Sequence, residues 1–192
     1  MPRTVPPVVP PGALRDARQP RLEGDRVALR PWDSGDAEML RRAFRDPEIR
    51  RWHMRQLDGP GDADAWIASW SERWTAETDG SWAALDPESG EAAGQVGLRQ
   101  ITLEFGVAHV SYWTSPAFRG RGLAARAAQV VADWALGDLG LHRLEVHHST
   151  ANSESCRVAE RAGFAAEGLL HSALLHDDGW HDMHVHARIA AD

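Results

Sequence analysis

The chain has 192 residues, of which 28 are acidic and 21 basic for a formal net charge of −7, and 43% of it is hydrophobic. That length supports one full core but not two ordinary domains, and the acidic balance argues against nucleic acid as the main partner. No apolar run approaches the ~20 residues of a membrane span, prolines at 6, 7, 10 and 11 break any signal-peptide helix, and the single Cys156 excludes an intrachain disulfide, so the expectation is a cytoplasmic protein with no membrane partner.

Residues 1–24 hold six of the eleven prolines and little that could form a core, and read as a mobile tail ahead of one domain over 25–192. The alternation in RVALR, from Arg26, predicts a first strand. Asp33 or Ser34 can cap a helix running to about Phe44, which the Asp46-Pro47 pair ends. Trp52 and His53 fall on a short irregular or helical piece, and GPGDAD caps a second helix over about 63–77. Within it Trp66, Trp70 and Trp74 recur at spacing four, as the buried face of an amphipathic helix does. Segments 81–86 and 93–103 read as a hairpin across PESGE, with VAHVSYWT at 107–114 as the next strand. Leu123, Ala127, Val130 and Trp134 keep helical spacing up to Gly137. HRLEVHHS is then a strand, Asn152 opens a short helix closed by Gly163, and 164–175 with 180–189 form a last hairpin. His184 and His186 alternate onto one strand face, but a transition metal wants three or four converging ligands, so no metal is expected. Cys156 reads as a small helix residue, since nothing nearby in sequence suggests a base for it.

The chain is organised around the junction where VAHVSYWT breaks at Ser115-Pro116 and reopens as a helix through RGRGLA. Gly120 and Gly122 let the backbone approach a ligand closely. The helix behind them offers unpaired N–H groups and a positive dipole end, and Arg119 and Arg121 add two charges for a phosphate-bearing ligand. Gly120, Gly122 and Ala125 fit the dinucleotide fingerprint G-x-G-x-x-G/A, with Glu145 as the ribose ligand. That fingerprint wants its glycines directly after the strand and further βα units behind them, and neither condition is met.

Arg119, Gly122 and Ala124 instead match the R/Q-x-x-G-x-G/A pattern that grips the pyrophosphate of coenzyme A in the GNAT acetyltransferases, and the stretch resembles that motif. ANSESCRVAERAGFAAEGLL is similar to the N-x-x-S…G-F…E-G segment of the RimJ/RimL branch, whose members acetylate protein N-termini. RVALRPWDSGDAEML and GWHDMHVHARI extend the resemblance over roughly 26–189 in the expected order. It implies an α/β (α+β) acyl-CoA N-acyltransferase fold: a mixed, mostly antiparallel sheet with a splayed central strand pair and flanking helices.

The resemblance also implies acetyl-CoA as cosubstrate and a primary amine as acceptor. The backbone N–H groups of Gly120, Arg121, Gly122, Leu123 and Ala124 would hold the pyrophosphate beside Arg119, and main chain at Trp113 and Thr114 would pair with the pantetheine amides. Asn152, which can also serve as a helix cap, matches an asparagine that contacts the coenzyme arm, and part of the tryptophan stripe could wall the acceptor. Ser155 is the choice for the acid that protonates the leaving thiolate, because the position where many relatives carry tyrosine is Ala159. For the base the candidates are His109, which stands where a glutamate is common, Glu104, and a water-mediated route. A peptide α-amine with pKa near ~8 loses its proton more readily than an amine near ~10.4, which favours a peptide or protein N-terminus. A small-molecule amine acetyltransferase, an inactive acetyl-CoA-binding module, a nicotinamide oxidoreductase and homodimer formation stay open.

Overall fold

A computed structural model describes residues 5–53 and 56–191, so residues 1–4 of the expected tail, Met54 and Arg55 of the piece around Trp52, and Asp192 lie outside it. Eight strands form one sheet: β1 Leu22–Gly24, β2 Val27–Pro31, β3 Gly80–Leu85, β4 Ala92–Thr102, β5 Val107–Thr114, β6 Arg143–Ser149, β7 Ala165–His176 and β8 Gly179–Ile189. Their spatial order is β1-β2-β3-β4-β5-β6-β8-β7, with every neighbouring pair antiparallel except β5 and β6. Among the described residues five α-helices flank the sheet: α1 Ala37–Ala43, α2 Pro47–Trp52, α3 Asp62–Thr75, α4 Leu123–Leu136 and α5 Ser153–Arg161.

The sheet has a core on each face because its central strands alternate apolar residues to both sides. On one face α4 and α5 pack Ala127, Val131 and Ala159 over Val96, Leu98, Ala108 and Leu144. On the other α1 to α3 bring Leu40, Ile49 and Trp66 over Trp32 and Ala83. All three residues of the tryptophan stripe are buried, as an amphipathic face requires. They serve both cores: Trp66 meets Trp32 and Trp70 edge-on, whereas Trp74 stacks on Trp134 and meets Trp82 beyond the helix end.

The first helix ends at Ala43, ahead of Asp46-Pro47 as expected, and Pro47 also starts the next one. Its ring suits the first helical position, where no N–H partner is needed, and the Asp46 carboxylate caps α2 by accepting from Ile49 N at 3.0 Å. Asp33 caps a short 3-10 turn ahead of α1, and the Asp36 carboxylate behind it takes both Arg30 Nη atoms at 2.7 Å.

The segment expected as a mobile tail is joined to the domain from Val8 on, with Val9 and Leu14 in the core. Prolines exclude helix but not docking: the Glu77 carboxylate accepts from Gly12, Leu14 and Arg15 N at 2.9–3.2 Å. Trp74 and Trp82 donate their indole N–H to the carbonyls of Ala17 and Pro20, both at 2.8 Å. No helix is long and apolar enough to cross a membrane among the described residues.

Candidate active site

β5 and β6 pair only from Val107–Arg143 to His109–Glu145 and then diverge. Beyond that point the β6-facing edge of β5 has no strand beside it, and the two strands wall an opening. On its other edge β5 stays paired with β4 to Thr114. Gly94 makes that closeness workable, because a Cβ there would lie 2.5 Å from the Trp113 carbonyl oxygen.

A cavity of about 620 Å³ enters this opening, bounded by the end of β5, the glycine turn, the start of α4 and the face of α5. A smaller one of about 170 Å³ continues between the strands, and Trp52, His53, Tyr112, Trp113, Asn152 and Ser155 line both. The passage thus joins a long outer arm to a short inner chamber, the shape needed by a reaction between an extended cosubstrate and a second molecule.

The outer arm gathers Trp113, Thr114, Arg119, Gly120, Gly122, Leu123, Ala124, Asn152 and Ser155. Gly120 and Gly122 have φ of +77° and +72°, where a Cβ is strained. Gly122 is the cap of α4, and no side chain caps that end, so the first-turn N–H groups remain for an anion. Arg119 ion-pairs with Asp46 and donates from Nε to the Thr114 carbonyl at 3.3 Å, which ties the turn to α2 and β5.

Arg121 does not line the cavity. Its guanidinium turns back to Asp86 at 3.4 Å, so the two fixed charges expected from RGRG reduce to one. Arg157 and Arg161 line the arm as well, one turn apart on α5. Their spacing with Glu154 and Val158 marks one helix face, a signal legible in the sequence but unused.

Ser155 sits at the junction of arm and chamber. Its N–H donates to the Asn152 side chain at 3.0 Å, so Asn152 both caps α5 and borders the passage. The Tyr112 hydroxyl donates to the Ser155 carbonyl at 2.9 Å and lies 3.0 Å from Ser155 Oγ. Burial pushes the phenol well above its ordinary value, and the hydrogen bond with Ser155 offsets this only in part, so Tyr112 stays protonated. Residue 112 comes from a strand whereas family tyrosine acids come from the α5 segment, which is why the motif did not single it out.

Neither base candidate reaches the passage. His109 lies where β5 and β6 are still paired, so its ring packs on His147 at 4.7 Å rather than into the gap. Burial, then the neighbouring His147, holds it below its ordinary value. Glu104 sits in the turn between β4 and β5, at the far end of the strand, where its carbonyl accepts from Val8 N at 3.1 Å. Glu145, the ribose ligand of the dinucleotide pattern, is engaged by Arg143 at 2.6 Å and His147 at 2.8 Å. The imidazoles that do line the chamber are those of His53, His147, His148 and His176.

This architecture is the α/β fold of acyl-CoA N-acyltransferases. The crystal structure of ribosomal-protein-S5-alanine acetyltransferase from Vibrio fischeri superposes with a TM-score of 0.79 at 22% identity, covering 91% of this chain and 98% of that one. The particular family follows from the sequence: residues 26–165 match the model for the Acetyltransferase (GNAT) domain. The chain belongs to that family and is an acetyl-CoA-dependent N-acetyltransferase. Among curated relatives, the probable N-acetyltransferase YjcK of Bacillus subtilis is 28% identical, covering 89% of this chain and 98% of that protein. The putative ribosomal N-acetyltransferase YdaF of the same organism is 26% identical, covering 83% and 88%. Spermidine N(1)-acetyltransferase of Escherichia coli is 33% identical over 81 residues, 42% of this chain and 44% of that protein.

Proposed function

We propose that the acceptor is the α-amine of a peptide or protein N-terminus. The observation that carries this reading is the polarity of the inner chamber. Trp113, Gln95, Ser111 and His176 line it, and the Trp113 Nε1, Gln95 Nε2, Ser111 Oγ and His176 Nε2 atoms are buried without a hydrogen-bond partner. An indole N–H can only donate, so its missing partner is an acceptor atom. Peptide carbonyls supply such atoms next to an α-amine, whereas a polyamine brings only N–H donors and would leave the Trp113 and Gln95 N–H groups buried and unpaired, at ~1–3 kcal/mol each.

Charge points the same way. No carboxylate lines the chamber among the described residues, so a polycation would find four imidazoles and nothing to neutralise it. A single α-amine near pKa ~8 needs only a weak base. His176, half-buried at the chamber wall with its Nε2 unpaired, replaces His109 and Glu104 in that role. The name of the YdaF relative accords with a protein acceptor; that of the spermidine enzyme, matched over less than half the chain, supplies the competing one.

For the cosubstrate, the N–H groups at Gly120, Gly122, Leu123 and Ala124 hold the pyrophosphate, main chain at Trp113 and Thr114 meets the pantetheine amides, and Ser155 faces the leaving thiolate. The test is thiol release from acetyl-CoA with peptides, spermidine and aminoglycosides, followed by tandem mass spectrometry of the peptides. Acetyl groups confined to the α-amine are expected. Acetylation mainly on lysine side chains, or turnover with spermidine or aminoglycosides alone, overturns the acceptor, and no turnover with any amine leaves a coenzyme-binding module.

A further inference from the structure

On the α5 side of the sheet four donors converge. Strand alternation and the His148–His184 register pair put His148, His184 and His186 on one face, and α5 lays Cys156 against them. One ligand atom from each lies within 4.8 Å of all the others. His148 Nε2 is 3.2 Å from His186 Nε2, and Cys156 Sγ is 3.7 Å from that same nitrogen. In a tetrahedral zinc site with bonds of about 2.0–2.3 Å, the corresponding edges are roughly 3.3 Å between nitrogens and roughly 3.6 Å between sulfur and nitrogen.

The protons support the same conclusion. His148 Nδ1 lies 2.9 Å from the Ser149 carbonyl, which fixes the hydrogen on Nδ1 and turns the Nε2 lone pair into the cluster. A carbonyl behind the far nitrogen is the arrangement of metal-bound imidazoles. His186 is almost wholly buried, and its Nδ1 has no partner, so only the contacts at Nε2 orient the ring. Two facing Nε2 atoms and a thiol can share a proton, but a cation satisfies all of them together.

We propose that His148, Cys156, His184 and His186 form a zinc site that fastens α5 to β6 and β8. The donor set of one thiolate and three imidazoles suits a borderline-soft divalent ion of tetrahedral preference. The site differs from the other group of potential ligands, His109, Glu145 and His147, in that Glu145 there is already neutralised by Arg143 at 2.6 Å. Its position gives it a purpose: Cys156 directly follows Ser155, so an ion holding Cys156 to the strands also fixes the helix start that borders the passage.

The experiment uses full-length protein stripped with a chelator, then dialysed against zinc or cobalt. One zinc per chain by plasma mass spectrometry is expected, as is a thiolate-to-cobalt charge-transfer band in the cobalt form. Cys156→Ser should abolish that band, and His186→Gln should weaken zinc binding by roughly tenfold or more. Zinc should raise the Tm of the unmodified chain and slow alkylation of Cys156. Substoichiometric zinc, a cobalt spectrum without the charge-transfer band, or unchanged zinc affinity in both variants overturns the site. The spectrum and stoichiometry of the unmodified chain decide the matter even if a variant does not fold, and neither depends on the identity of the acceptor amine.

Discussion

At Ser155 two duties meet, since its N–H completes the Asn152 cap while its hydroxyl faces the passage with the Tyr112 phenol 3.0 Å behind it. A serine alone is a poor acid, but once it gives up its hydrogen the Tyr112 O–H can turn from the Ser155 carbonyl, 2.9 Å away, to Oγ, 3.0 Å away, and stabilise the oxygen left behind. We therefore expect Ser155→Ala to lower turnover by about tenfold or more with coenzyme affinity nearly intact, in line with general acid contributions of ~10²–10⁴. Tyr112→Phe should show a smaller loss of the same kind. Stopped turnover assays beside a coenzyme titration check both, and a normal rate in Ser155→Ala reduces the residue to a helix position. The pair was out of reach of the sequence because 43 residues separate its members and only the closure of α5 onto β5 joins them.

Elements legible from periodicity were those whose stability is local or one-sided. Helix α4 ends before Gly137 and β5 spans 107–114, as the apolar pattern predicts. The N-terminal segment was not legible, because its order comes from distant partners: a carboxylate at 77 and two indoles at 74 and 82. Glu77 is the test of that docking. Burial pushes its carboxyl up, but the backbone N–H groups of Gly12, Leu14 and Arg15 outweigh this and hold it below the ordinary value. A depressed carboxylate contributes stability above its unfolded pKa, and the contribution is lost as pH falls through the folded one. Glu77→Ala should cost roughly 1–3 kcal/mol at neutral pH and expose residues 5–20 to proteolysis. The Tm gap between the two proteins should narrow on acidification below about pH 4.3. A gap independent of pH, with unchanged proteolysis, would mean the carboxylate does not hold the segment.

Across the whole molecule the cavity lies where both cores and three separate chain segments meet, so its ligand bridges parts that are otherwise joined mainly through the sheet. The main-chain residues of the glycine turn were legible as a motif, whereas the chamber was not, because the divergence of β5 and β6 beyond His109 decides which side chains face it. That divergence closes out His109 although it shares a strand face with Ser111 and Trp113. A ligand that binds only the folded state adds ~2.7 kcal/mol at one hundred times its Kd, and for a domain of this size each kcal/mol shifts Tm by about 2–4 °C. Coenzyme A at that level should therefore raise Tm by roughly 5–10 °C, and NAD should not. Gly122→Val must lose stability of its own, because φ of +72° is strained for any β-branched residue. Gly90→Val controls for that strain: it has the same φ of +72°, faces open space and lies outside the cavity. Both variants should melt earlier than the unmodified chain in differential scanning calorimetry, yet only Gly122→Val should lose the coenzyme-dependent rise. A full rise in Gly122→Val would remove the glycine turn from the binding site.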